Sequence, residues 1–204
     1  DSSLDGMQDL MSTALAGLAM LTTGNLPAAE RAGDFLVYMY DNQPKLSSQM
    51  LFVLQRGDRM VTEWPEDQQP AFALNPAALN QWYFVPGLAG GFLARLAEVT
   101  GSADHLRVAQ AYVQYAESGA ADRHDTPNGW WLGWGAAMVY AATGVATYRN
   151  IIEAVTERMV ESQMSSGSWA AGTLSYEPPA PIVDATAEAV IVLTEILQHA
   201  VVGE

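Results

Sequence analysis

The run Leu96-Ala97-Glu98-Val99-Thr100-Gly101-Ser102-Ala103-Asp104 decides the fold. An apolar stretch, residues 82–99, precedes it, and an amphipathic one, residues 103–117, follows from its end. Glycine just beyond a helix tolerates the left-handed conformation that stops it, so Thr100-Gly101 reads as the turn of a helical hairpin. The arrangement recurs as residues 10–21, Thr23-Gly24 and 28–40, and again as residues 131–142, Thr143-Gly144 and 146–161. A final apolar stretch, residues 184–200, opens a fourth copy. Such recurrence marks an architecture in which each unit buries its apolar face on its neighbours.

The two members of each hairpin differ. The first helices are rich in Ala, Gly and Leu, and Ala89-Gly90-Gly91 and Gly133 with Gly135-Ala136-Ala137 permit close backbone approach. The second helices carry the charges: Glu30, Arg31 and Asp34, then Asp104 and Arg107, then Arg149, Glu153, Glu157, Arg158 and Glu161. One helix per hairpin is therefore expected inside and the other toward water. The predicted fold class is all-α, helical hairpins set in an inner and an outer ring as a complete or partial α/α toroid. Residues 1–204 read as one domain.

A β excursion interrupts the rhythm at about residues 49–64. Residues 49–55 and 59–64 flank Arg56-Gly57-Asp58, a hairpin with glycine in its turn. Turn chemistry explains this triplet better than adhesion does. Residues 65–76 and 165–183 read as loops from their composition, and loops of that length often cover a site.

Composition narrows the function. Half of the 204 residues are apolar, enough for a real core. Asp and Glu number 23 against 9 Lys and Arg, and the net charge of -14 argues against a nucleic-acid or anionic-membrane partner. The absence of cysteine excludes disulfides, thiolate metal sites and cysteine nucleophiles. Residues 185–197 are the most apolar, but Glu188 and Glu195 interrupt them, so no membrane span is expected. No signal peptide is visible, and a cytoplasmic location is the expectation. A start at Asp1, almost at once in helical pattern, suggests a processed or trimmed product.

Aromatic residues lead the candidates. Trp130, Trp131 and Trp134 open one inner stretch, Trp82, Tyr83 and Phe84 open the one before it, and Trp169 closes a Gly-x-Trp turn. Gathered at one mouth, they would bind a small molecule by stacking or cation–π attraction; packed inward, they are core. Asp184 and Glu188, four apart, share a helix face. Asp184 suits an acid or an N-cap. Glu188 lies among apolar neighbours and suits a protonated general acid or a structural pair with Arg123 or Arg149. His124 beside Asp125 is an oriented base or part of a solvated loop. Only His105, His124 and His199 exist, without metal-binding spacing, and no phosphate-binding glycine motif occurs, so neither metal nor cofactor is expected.

The run Gln163-Met164-Ser165-Ser166-Gly167-Ser168-Trp169 resembles the Q-x-x-x-G-x-W half of the QW repeat of terpenoid cyclases. In that family the Gln and Trp tie a helix end to the following loop. Asp184-Ala185-Thr186-Ala187-Glu188-Ala189 resembles the start of the next inner helix in such cyclases and in protein prenyltransferase β subunits. The Asp-x-Asp-Asp and Asp-Asp-x-x-Asp motifs of the cyclases are absent. The resemblance implies a metal-independent cyclase or isomerase acting on an apolar isoprenoid or polyketide chain. The toroid is also the shape of sugar-active epimerases, lyases and glycoside hydrolases, in which six hairpins close the ring. Three and a half are legible here, so the ring is open or smaller, or self-association or a missing chain segment completes it. A non-catalytic helical interaction module is the third expectation.

Overall fold

In the computed structural model, residues 6–55, 59–125, 127–170 and 183–200 are described, and the Asn128 side chain is left aside. The architecture is all-α with a small β insertion. Three hairpins form as expected: α1 (Leu10–Thr22) with α2 (Leu26–Asp41), α4 (Phe84–Thr100) with α5 (Ala103–Glu117), and α6 (Pro127–Thr143) with α7 (Ala146–Glu161). The last helix, α8 (Val183–Ala200), stands after them. Two expected starts shift. Helix α4 begins at Phe84, leaving Trp82 and Tyr83 outside it, and α6 begins at Pro127, one turn before the tryptophans.

Each hairpin turns the same way, and the threonine has a job that composition did not reveal. Gly24, Gly101 and Gly144 all adopt positive φ, between 66 and 77°. The hydroxyls of Thr23, Thr100 and Thr143 donate back to the carbonyls of Ala19, Leu96 and Val139 at 2.7–2.8 Å. In the second and third hairpins the same hydroxyl also accepts from the N–H two residues on, that of Ser102 or Val145, at 3.3 Å. Thr therefore supplies polar partners where the chain leaves the helix, and Gly the conformation.

The helices form two layers. Helix α4 packs between α1 and α6, and α6 packs between α4 and α8, while α2, α5 and α7 lie behind their hairpin partners. The inner helices run parallel: Gly17 of α1 faces Phe92 of α4, Gly91 of α4 faces Trp134 of α6, and Trp131 of α6 reaches Glu188 of α8. Helix α4 is the centre, buried along almost its whole length from Val85 to Ala97. It crosses α6 backbone to backbone. A Cβ on Gly135 would collide with the Gly87 carbonyl oxygen, and one on Gly87 would stand 2.5 Å from the carbonyl oxygen of Trp131.

The β excursion is smaller and less local than expected. Strands β3 (Val53–Gln55) and β4 (Arg59–Met60) pair antiparallel around the expected turn, whose residues 56–58 lie outside the described residues. Strand β1 (Gln8–Asp9), just before α1, adds to the other side of β3. Strand β2 (Met50–Leu51) pairs instead with β5 (Ala73–Leu74). The expected loop at residues 65–76 thus holds a 3-10 turn (Glu66–Gln68), the short helix α3 (Gln69–Phe72) and β5. Gln43 completes β2 by accepting the Leu51 N–H at 2.7 Å and donating to the Leu51 carbonyl at 2.9 Å, as a neighbouring strand would.

These packings predict two different responses to substitution. Gly135→Ala pushes a methyl into fixed backbone, so it should destabilise by about 1–3 kcal/mol in urea denaturation. Gly101→Asn meets open space in a left-handed position that Asn tolerates, so it should cost far less.

Candidate functional site

The parallel inner helices all begin at the end of the molecule opposite the Thr-Gly turns. That end also receives the long connections after α2 and α5, and α7 ends there as α8 begins. Short turns leave little to build with, so chemistry concentrates at the other end.

A pocket of about 260 Å³ opens there, between the starts of α1 and α4 and beneath the β insertion. Met7, Met11, Phe52, Val53, Phe72 and Trp82 line it. Phe72 stacks on Trp64 at 5.8 Å, and Trp82 leans on Phe84 at 5.4 Å. The one carboxylate among the described residues of the wall, Asp9, caps α1 by accepting the Ser12 N–H at 2.7 Å. The roof is pinned by Gln81, a buried amide that accepts from the Asn75 N–H at 3.0 Å and the Gln69 amide at 3.1 Å. A fully buried amide of this kind persists only because its donors and acceptors are matched.

Of the expected aromatic binders, Trp82 alone lines this pocket. Tyr83, the next residue, is fully buried, and its hydroxyl donates to Asp122 at 3.0 Å. Asp122 also accepts the N–H of Asn80, a residue at positive φ, so Tyr83 and Asp122 lock two connections together. Burial first, then the Asp122 carboxylate, pushes the Tyr83 phenol well above its ordinary range. Its role is structural.

Trp130 and Trp134 are core, each 2% exposed. Trp134 lies over Gly91, and its indole N–H has no partner among the described residues. Trp131 is half-buried, meets Trp134 edge to face at 5.4 Å, and donates its indole N–H to Glu188 at 2.5 Å. Trp169 is buried as well: its indole donates to the Met159 carbonyl at 2.7 Å, and its N–H to Thr186 at 3.1 Å. With Gln163 donating to the Gly167 carbonyl at 2.9 Å, the Gln-to-Trp run fastens the end of α7 to the chain that follows and to α8.

Glu188 is half-buried rather than enclosed, and its partner is Trp131. Neither expected arginine reaches it: Arg123 binds Glu117 at 2.9 Å, and Arg149 binds Glu153 at 3.1 Å. Asp184 lies exposed within the first turn of α8, where the helix dipole favours an acid. Spacings of four, seven and four put Asp184, Glu188, Glu195 and His199 on one stripe of α8. Arg95 of α4 reaches across to Glu195 at 3.9 Å, and His199 lies 3.8 Å from the same carboxylate. Sequence reasoning passed over these three residues. The signal was available: Arg95 is the single charge in the apolar run 82–97.

The His124–Asp125 pairing does not form. His124 is oriented by Glu117 at 2.7 Å, while Asp125 pairs with Arg158 at 3.0 Å. Adjacent side chains diverge, whereas the last residue of α5 faces back over the loop. Burial pushes the Glu117 carboxyl up, but hydrogen bonds from His124 and Arg123 outweigh it and hold the group below its ordinary value. Among the described residues no cluster of three or more His, Asp or Glu is arranged to hold a metal, and no helix is long and apolar enough to cross a membrane. No known family model matches the chain, and no curated protein matches it significantly.

The Glu117 clamp has a calculable sign. Because its folded value is depressed, its stabilisation is complete above the ordinary carboxylate range and is lost as pH falls through the folded value. The excess Tm of the unsubstituted protein over Glu117→Gln should therefore be largest near neutrality and vanish in acid. A difference independent of pH would contradict the clamp.

Proposed function

We propose that the chain is a terpenoid cyclase-like enzyme, a cyclase or isomerase that holds an apolar isoprenoid or polyketide chain at the loop-bearing end of the inner helices. The observation that carries this reading is the pocket between α1 and α4. Among the described residues its wall is mainly methionine, phenylalanine, tryptophan and valine, and the one carboxylate is engaged as a helix cap. Such a wall favours an apolar occupant and offers little to a polar one. Ring faces of Trp82, Phe52 and Phe72 also suit a developing positive charge. Glu188 of α8, beside the Trp131 indole, stands outside the residues that line this pocket.

A second reading, a carbohydrate-active epimerase, lyase or glycoside hydrolase, rests on a different surface. There Trp131 offers a half-exposed ring beside Glu188, and Arg95, Glu195 and His199 continue the polar stripe. Sugars are recognised by such pairings of ring face and polar side chains.

Fluorescence titration decides between them. A farnesyl-length polyprenyl alcohol should bind saturably, and Trp82→Ala should weaken it about tenfold or more, in line with about 1.5–3 kcal/mol for a buried aromatic side chain. Trp131→Ala, outside the pocket lining, should leave that affinity nearly unchanged. Saturable binding of oligosaccharides or uronic acids alone, lost in Trp131→Ala, would replace the first reading by the second.

A further inference from the structure

Among the described residues, the two outermost inner helices each leave one side uncovered, and charge is absent from the α1 side and confined to the edge of the α8 side. Helix α1 contains no acidic or basic residue. Its exposed positions, Ser12, Leu15, Ala16, Ala19, Met20 and Thr22, recur at three- and four-residue spacing and form one stripe. Leu15 is 46% exposed. On α8 the exposed positions Val183, Ala187, Val190, Ile191, Thr194, Leu197 and Gln198 form a second stripe, with Ile191 53% exposed and the exposed Asp184 at its edge in the first turn. The charged groups of α8 lie beside this stripe, on the line through Glu188 and Glu195. The outer helices behave differently: α2, α5 and α7 put Arg31, Asp104, Arg107, Glu153 and Glu157 at their exposed positions.

We infer that these stripes are two halves of one interface, through which α8 of one copy packs against α1 of a second copy, head to tail. Three observations lead there. Within the chain, the neighbour of an inner helix is another inner helix, as α1, α4, α6 and α8 pack in succession. Helices α1 and α8 are the members of that row with an inner neighbour on one side among the described residues, so joining them continues an interface the fold already uses. The chain also carries a net charge of -14, and copies repel wherever charged faces meet. The α1 and α8 stripes are helix faces where approach brings apolar surface together with little of that repulsion. Because the stripes differ, the contact is heterologous and propagates to a closed ring or an open row.

Sedimentation velocity on the whole chain, with circular dichroism as the check on folding, tests it. The unsubstituted protein should show a mass above one chain that rises with concentration. Leu15→Glu and Ile191→Glu, both at exposed positions, should each give folded monomers. Mixing those two variants should restore a species of two chains and no more, because each supplies the face that the other lacks. Val160→Glu, an exposed apolar position on outer helix α7, should leave assembly unchanged. A monomer at every concentration overturns the proposal. So does a dimer that survives Leu15→Glu and fails only with Ile191→Glu, which would mean that α8 pairs with itself. Equal loss with Val160→Glu would also overturn it.

Discussion

The close crossing of α4 and α6 is the constraint on which the remaining packing depends. Gly87 and Gly135 meet backbone to backbone, and neither position has room for a Cβ. Two helices that approach this closely leave the rest of their circumference to be covered by others. Helix α1 covers one side of α4, with Phe92 seated on Gly17, and α5 covers the back, with Val113 against Gly90. On α6, Gly133 takes Val155 of α7 and Ile196 of α8. The small residues are therefore sockets, each receiving a named side chain. A larger residue in any socket displaces a helix, and close-packed interiors absorb such shifts poorly.

The same construction sorts the two ends of the molecule. Hairpin turns of two or three residues, stopped by Gly and satisfied by Thr, leave one end nearly without loop. Every long connection is pushed to the other end, where loops must find polar partners. They find them in three knots: Gln43 on β2, Gln81 with Gln69 and Asn75, and Asp122 with Tyr83 and Asn80. These knots hold the roof and walls of the pocket. A pocket wall made of connections keeps its shape only if those connections are fixed, and here neutral amides and one tyrosine fix most of it, with a single carboxylate.

What was legible in the sequence follows the range of the interaction that carries it. The Thr-Gly stops were legible because glycine conformation and the threonine back-bond act within four residues. Inner and outer helices were legible because charge is a property of each helix alone. Trp82 lies in the lining of the pocket. Tyr83 was misplaced because its fate depends on Asp122, 39 residues away. His124 was paired with its neighbour Asp125, although the helix end at Glu117 presents the nearer carboxylate. The strand pairings β1 with β3 and β2 with β5 join segments that no local pattern links. Glu188 stood out as an acid in apolar surroundings, but its tryptophan partner lies 57 residues away.

Helix α8 joins these themes because its circumference is divided into three. Ala185, Ala189, Val192 and Ile196 are buried, mainly against α6. Next comes the polar line of Asp184, Glu188, Glu195 and His199, and next to that the uncharged stripe through Val190 and Ile191. Neighbouring lines on one helix cannot be altered independently. The side packed on α6, the polar line and the uncharged stripe are thus three aspects of one helix surface.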